Sequence, residues 1–292
     1  MPKKRTQRVR SLTASRVSTQ PLKRSPPAVA PAAASGEAVV SLRRGLEILR
    51  TFHPDDGPLS RHEIAQRTGL PNTTTARLIH TLLTLGYLTR VGVHGGYRPG
   101  PSVLALGHAL IEALPFRRVA RPLMQRFALD FNVWVTLGTA EGGNMLVLEH
   151  AASPRAPDIQ IRPGSLLPMA STALGRAYLW AMTPEHRAER LREIDGNGDA
   201  IGARLGRGLR TAISELDQCG FCTTSGTWRR EILEVGTPIV MGNGDHVLAL
   251  ACGSTNLATN ARVLAEEYGP ALLRVATDIK NSLLKSGSLE DL

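Results

Sequence analysis

The chain has 292 residues, 42% hydrophobic and 21% charged, a globular balance that excludes a fibrous or wholly disordered protein and is long enough for two domains. Its formal charge of +10 is uneven: eight of the 35 Lys and Arg lie in the first 36 residues, which hold no acid, while the other 27 stand against all 25 Asp and Glu. Cys219, Cys222 and Cys252, an odd number with no apolar leader ahead of them, argue against a disulfide framework and fit a reducing cytoplasm. Uncharged windows such as 247–261 are diluted with Gly, Ser, Thr and Asn and fall short of the roughly 18 to 20 apolar residues of a membrane span, so no membrane partner is expected.

Residues 1–36 are rich in Ser, Pro and Ala and are expected to be disordered, because they bury too little apolar surface to offset the entropy of ordering. A flexible basic arm adds sequence-independent attraction to phosphates; a passive extension and an organellar transit peptide share the composition. From Ser41, Leu42, Leu46, Ile48, Leu49 and Phe52 recur at helical spacing up to Pro54. Ser60 followed by Glu63 is a capping box that opens a second helix ending at Thr68. After Gly69-Leu70-Pro71, Asn72 and Thr73 are expected to cap a third helix that reaches about Leu85 and stops at Gly86. Two short helices joined by a glycine turn form a helix-turn-helix candidate.

At about 100° per residue, Thr73, Arg77, His80, Thr81 and Thr84 share one face of the third helix, free of large apolar side chains. A helix in the major groove needs such hydrogen-bonding groups and an Arg able to reach guanine or phosphate. Residues 87–91 and Tyr97-Arg98, around a glycine-rich turn that carries His94, read as two strands of a wing that positions without specifying sequence. The expected contacts to double-stranded DNA are Arg43, Ser60, Asn72, Thr73, Thr74, Thr75, Arg77, His80, Thr81, Arg90 and Arg98.

Residues 121–292 alternate strand-like runs (133–139, 145–150, 159–162, 235–241 and 246–252) with helical spacing (171–182, 184–194, 207–218 and 264–284), a mixed α/β domain of the α+β kind. Ser171 and Thr172 can cap the helix that follows Pro168, turning backbone amides and a positive dipole end toward the loop, an arrangement that suits a carboxylate. Cys219-x-x-Cys222 lacks the second ligand pair that zinc needs. No cofactor motif and no catalytic constellation stands out; the competing reading is a redox sensor or enzyme that uses Cys219, Cys222 or Cys252 and is tethered to DNA.

Ser41 to Leu49, Leu59 to Pro71, Thr75-Ala76-Arg77-Leu78, Leu85 to Leu88 and Tyr97 to Pro101 together resemble the N-terminal domain of IclR-type bacterial transcriptional regulators. Leu104-Ala105-Leu106-Gly107 is similar to that family's linker helix, and 164–176 and 219–239 to its effector-domain signatures. Departures are Met169, Ala170 and Arg176 for the usual Leu, His and Lys, Gly226-Thr227 for an acidic pair, and Glu231 for a Gly. The resemblance implies a winged helix-turn-helix over 37–101, a linker helix over 102–120 and a GAF-like or PAS-like antiparallel domain over 121–292. It further implies a dimer, or dimer of dimers, on pseudo-palindromic DNA, modulated by an aromatic or short-chain organic acid. The pocket positions it implies are Met169, Ala170, Ala173, Gly175, Thr224, Ser225, Ala251 and Gly253, with Leu167, Met169, Cys222 and Cys252 as apolar walls.

Overall fold

The computed structural model describes residues 39–53, 56–92, 95–195, 200–242, 246–255 and 259–285. The basic tail and His94 lie outside them. The contacts divide the described residues into two units, one spanning Val40–Pro99 and one from Gly100 on.

The first unit holds α1 (Val40–Arg50), α2 (Arg61–Thr68), α3 (Asn72–Thr84), β1 (Leu88–Arg90) and β2 (Tyr97–Pro99). Ile48, Leu59, Ile64, Ile79, Leu82 and Leu88 form its core. The Ser60 hydroxyl accepts from Glu63 N at 3.2 Å while the Glu63 carboxylate accepts from Ser60 N at 2.7 Å, so the expected capping box is present. Gly69, at φ +68°, ends α2 in a left-handed turn closed to most side chains. Pro71, not Asn72 or Thr73, is the N-cap of α3, without a side-chain cap. Its carbonyl already accepts Thr75 N at 2.9 Å, and this puts Asn72 and Thr73 inside the helix. β1 and β2 pair antiparallel, and Tyr97 also exchanges both backbone bonds with Leu59, which fastens the wing to the start of α2.

The segment expected as a single linker helix over 102–120 is two helices, α4 (Pro101–Ala113) and α5 (Pro115–Phe131). Leu114 between them has ψ 93°, because the ring of a following proline excludes helical geometry. The C-terminal sheet contains β3 (Trp134–Glu141), β4 (Asn144–Ala152), β5 (Leu166–Pro168), β6 (Cys222–Ser225), β7 (Ile232–Met241) and β8 (His246–Thr255) in the order β5-β4-β3-β8-β7-β6, every pairing antiparallel. Residues 159–162, expected as a strand, are not one. Gln160 turns to φ +56°, Ile159 and Ile161 bury into the core, and β5 takes the edge position beside β4.

Between β5 and β6 run α6 (Ala173–Ala181), α7 (Pro184–Asp195) and α8 (Ala200–Cys219). The chain then closes with α9 (Ala261–Val263), a π-helical turn over Leu264–Tyr268 and α10 (Gly269–Lys285). Alternation along each strand gives the sheet two cores. Val135, Leu137, Val235, Leu250 and Cys252 pack with α5 and α10, whereas Trp134, Val147, Ile232, Ala249 and Ala251 pack with α6 and α8.

Candidate DNA-binding and effector sites

Asn72, Thr73, Arg77, His80, Thr81 and Thr84 are exposed along α3, and Thr74 is half-buried. The Thr81 and Thr84 hydroxyls donate to their own helix, to the carbonyls of Arg77 at 3.2 Å and His80 at 3.0 Å, and keep their lone pairs for an incoming donor. Thr75 leaves the set: it is fully buried, and its hydroxyl donates to the Pro71 carbonyl at 3.1 Å. Arg90 and Arg98 are exposed on the wing strands, and Arg43 is exposed on α1, 3.8 Å from Glu47. Ser60, Arg61, His62, Asn72, Arg90 and Tyr97 line a polar cleft of about 530 Å³ between the starts of α2 and α3 and the wing. Two arginines and two helix N-termini around one cleft supply the groups that hold phosphates. Sequence reasoning missed Arg61 and His62, whose place in the cleft depends on the Leu59–Tyr97 pairing across nearly forty residues of chain.

The second site lies on the sheet face under α6. Strand register sets Thr224, Glu234, Gly253 and Trp134 side by side across four strands, with Cys222, Gly236, Ala251 and Thr136 in the next row. Met169, Ala170, Ala173 and Gly175 close over these rows, all buried. Contacts are tight: a Cβ on Gly253 would lie 2.6 Å from the Trp134 ring, and one on Gly175 2.0 Å from the Met169 carbonyl oxygen. Two expectations fail. Ser225 follows Thr224 on the strand, so its side chain turns to the opposite face, where it is exposed; Cys252 faces the α5 and α10 core and cannot wall this site.

Thr172 caps α6, its hydroxyl accepting from Gly175 N at 3.2 Å, and Thr227 donates to the Ser171 carbonyl at 2.6 Å. The first amide of the helix, Ala173 N, donates to the Glu234 carboxylate at 3.1 Å, which also accepts from Thr224 Oγ1 at 3.2 Å. The anion expected at this turn is therefore supplied by the chain itself. Burial pushes the Glu234 carboxyl up to about 7, against the two hydrogen bonds and the Arg176 charge that favour its ionised form. Arg176 is 4% exposed, donates Nε to the Ala170 carbonyl at 3.1 Å, and has its pKa lowered by burial.

The description "IclR helix-turn-helix domain" matches residues 41–92, and "Bacterial transcriptional regulator IclR C-terminal" matches residues 108–279. The chain belongs to the IclR family. Among its relatives is the Pca regulon regulatory protein of Pseudomonas putida, 29% identical over 84% of each chain. An IclR family transcriptional regulator from Brucella abortus has a similar structure, with a TM-score of 0.79 and 33% identity over 84% of this chain and 92% of the other. An IclR homolog from Microbacterium hydrocarbonoxydans, solved in complex with 4-hydroxybenzoate, shares the fold at a TM-score of 0.67 and 24% identity, covering 84% of this chain and 99% of that one.

As a member of the IclR family the protein is a DNA-binding transcriptional regulator and not an enzyme. Two of its cysteines make poor nucleophiles, because burial raises the thiol pKa of both Cys222 and Cys252; Cys219 is exposed and donates Sγ to the Glu215 carbonyl at 2.9 Å. Glu234 and Trp134 were missing from the expected pocket set. One interrupts an apolar strand and the other reads as ordinary core, so only the cross-strand register reveals their place.

Proposed function

We propose that two copies of this IclR regulator read a pseudo-palindromic operator in the cytoplasm through Thr73, Thr74, Arg77, His80 and Thr81. Arg43, Ser60, Asn72, Arg90 and Arg98 hold the DNA backbone. A small organic acid, aromatic or short-chain, binds beneath the first turn of α6 and shifts the placement of the heads through α4. The observation that carries the DNA reading is Arg77, exposed in the middle of α3 with no ion pair among the described residues, on the helix whose first residue, Asn72, lines the cleft that holds Arg61 and Arg90. Support for pairing comes from apolar side chains left open on α1 (Leu42 and Leu46) and on α4 (Leu104, Leu106 and Leu110), an arrangement a second copy would cover. Support for the effector class comes from the buried, mainly apolar site under α6 and from the 4-hydroxybenzoate held by the Microbacterium homolog. Met169, buried in the same cluster and unbranched, is the side chain suited to yield to a ligand.

Fluorescence anisotropy on DNA from upstream of the protein's own gene, against a scrambled duplex over a salt series, tests this. The regulator is expected to prefer its own DNA by roughly a thousandfold. Arg77→Ala is expected to cut that preference by about 10- to 100-fold while the circular dichroism spectrum stays unchanged. Unaltered operator affinity in the variant would remove α3 from the recognition role.

A further inference from the structure

Two carboxylates are buried among the described residues, and the fold treats them differently. Glu149 is paired with Arg117 at 2.8 Å. Glu234 has no cation within ion-pairing distance among the described residues; its partners are one backbone amide and one hydroxyl. That amide, Ala173 N, is the first of α6, at the end of the helix that draws negative charge. Facing Glu234 are Arg176 from α6, the neutral thiol of Cys222 on β6 and, acting through Arg176 and Cys222, Glu215 on α8, while the neutral thiol of Cys252 on β8 points to the opposite face of the sheet.

We propose that Glu234 determines what the effector site admits: because its carboxylate already holds the first amide of α6, an anionic effector binds only with uptake of one proton, whereas a neutral ligand of the same shape needs none. Two ionised carboxylates cannot share a site withdrawn from water at low cost. Protonation turns Glu234 from an acceptor into a donor, able to hold the effector's carboxylate while the Ala173 amide is released to it. The proton comes from solvent, and burial has already brought the group to about 7, within reach of neutral pH. The inference rests on the reading of the α6 turn as the effector site.

Isothermal titration of the full chain with benzoate and 4-hydroxybenzoate, each beside its amide, tests it, in two buffers of different ionisation heat from about pH 6 to about pH 8. The expected result is that each acid takes up one proton above about pH 7, where its affinity falls about tenfold per pH unit, while the amides show neither effect. In Glu234→Gln, whose side chain can still accept from Ala173 N, the dependence on pH is expected to vanish. Acid binding with no proton exchange in the wild-type chain would overturn the inference and leave the effector site standing. Failure of every acid and every amide to bind either protein would overturn the site itself and the inference with it.

Discussion

Glu234 gains no ion pair among the described residues in exchange for its loss of water, and the more distant Arg176 charge does not offset that loss, so the fold favours its protonated form. Its carboxyl is raised from 4.5 to about 7, and a raised acid holds its proton more tightly in the folded chain than in the unfolded one. The stabilisation is therefore full below the unfolded value and is lost as pH rises toward the folded one. Glu234→Gln is expected to gain up to about 3 kcal/mol over wild type near pH 8 and almost nothing near pH 4. Urea denaturation at the two pH values checks this; an equal difference at both would mean that charge is not the cause. His150 acts with the opposite sign. Burial lowers its ring from 6.5 to about 4, so the stability it adds is present above the upper value and fades as pH falls toward the lower. Gly175 makes a steric case at the same site: Gly175→Ala would press a methyl on the Met169 carbonyl and is expected to cost about 1–3 kcal/mol, read as a lowered denaturation midpoint. The glycine was legible through the family motif, whereas Glu234 was not, because nothing local in Ile232 to Ile239 tells which strand face lies under α6.

Elements with local punctuation were legible from sequence, and those decided by tertiary pairing were not. The Ser60 and Glu63 pair fixed the start of α2, and Ser60→Ala is expected to lower the stability of the head by about 1 kcal/mol, measured by thermal melting of the far-ultraviolet dichroism. The apolar spacing of α3 likewise reports its buried face, with Ile79 and Leu82 in the core, whereas α1 buries Ile48 and leaves Leu42 and Leu46 exposed. The interruption at Leu114 is signalled by Pro115, whereas the single linker helix over 102–120 comes from the family resemblance alone. Residues 159–162 carry β-branched alternation, yet their edge place is held by β5, whose approach is tied by Gly164 N to the Val147 carbonyl at 2.8 Å and by Val147 N to the Ser165 carbonyl at 2.9 Å. Alternation predicts burial of every second residue correctly there; pairing with β4 is a separate condition, and the left-handed Gln160 prevents it.

Each of the two units has its own core, and all three tryptophans, Trp134, Trp180 and Trp228, lie in the second. Ile64→Ala empties part of the small head core and is expected to cost about 2–5 kcal/mol there. The head should then melt early by far-ultraviolet dichroism while tryptophan emission keeps its original transition; a shift of both together would mean that the units unfold as one. The long strands β3, β4, β7 and β8 are interior to the sheet, and its margins are β5 and β6, of three and four residues. Strands as short as β5 and β6 themselves offer another chain few free backbone groups to pair with. The apolar surface left open on α1 and α4 belongs to helices, whose backbone bonds are already made. Self-association at high concentration is accordingly expected to saturate in small closed assemblies and not to grow into fibres.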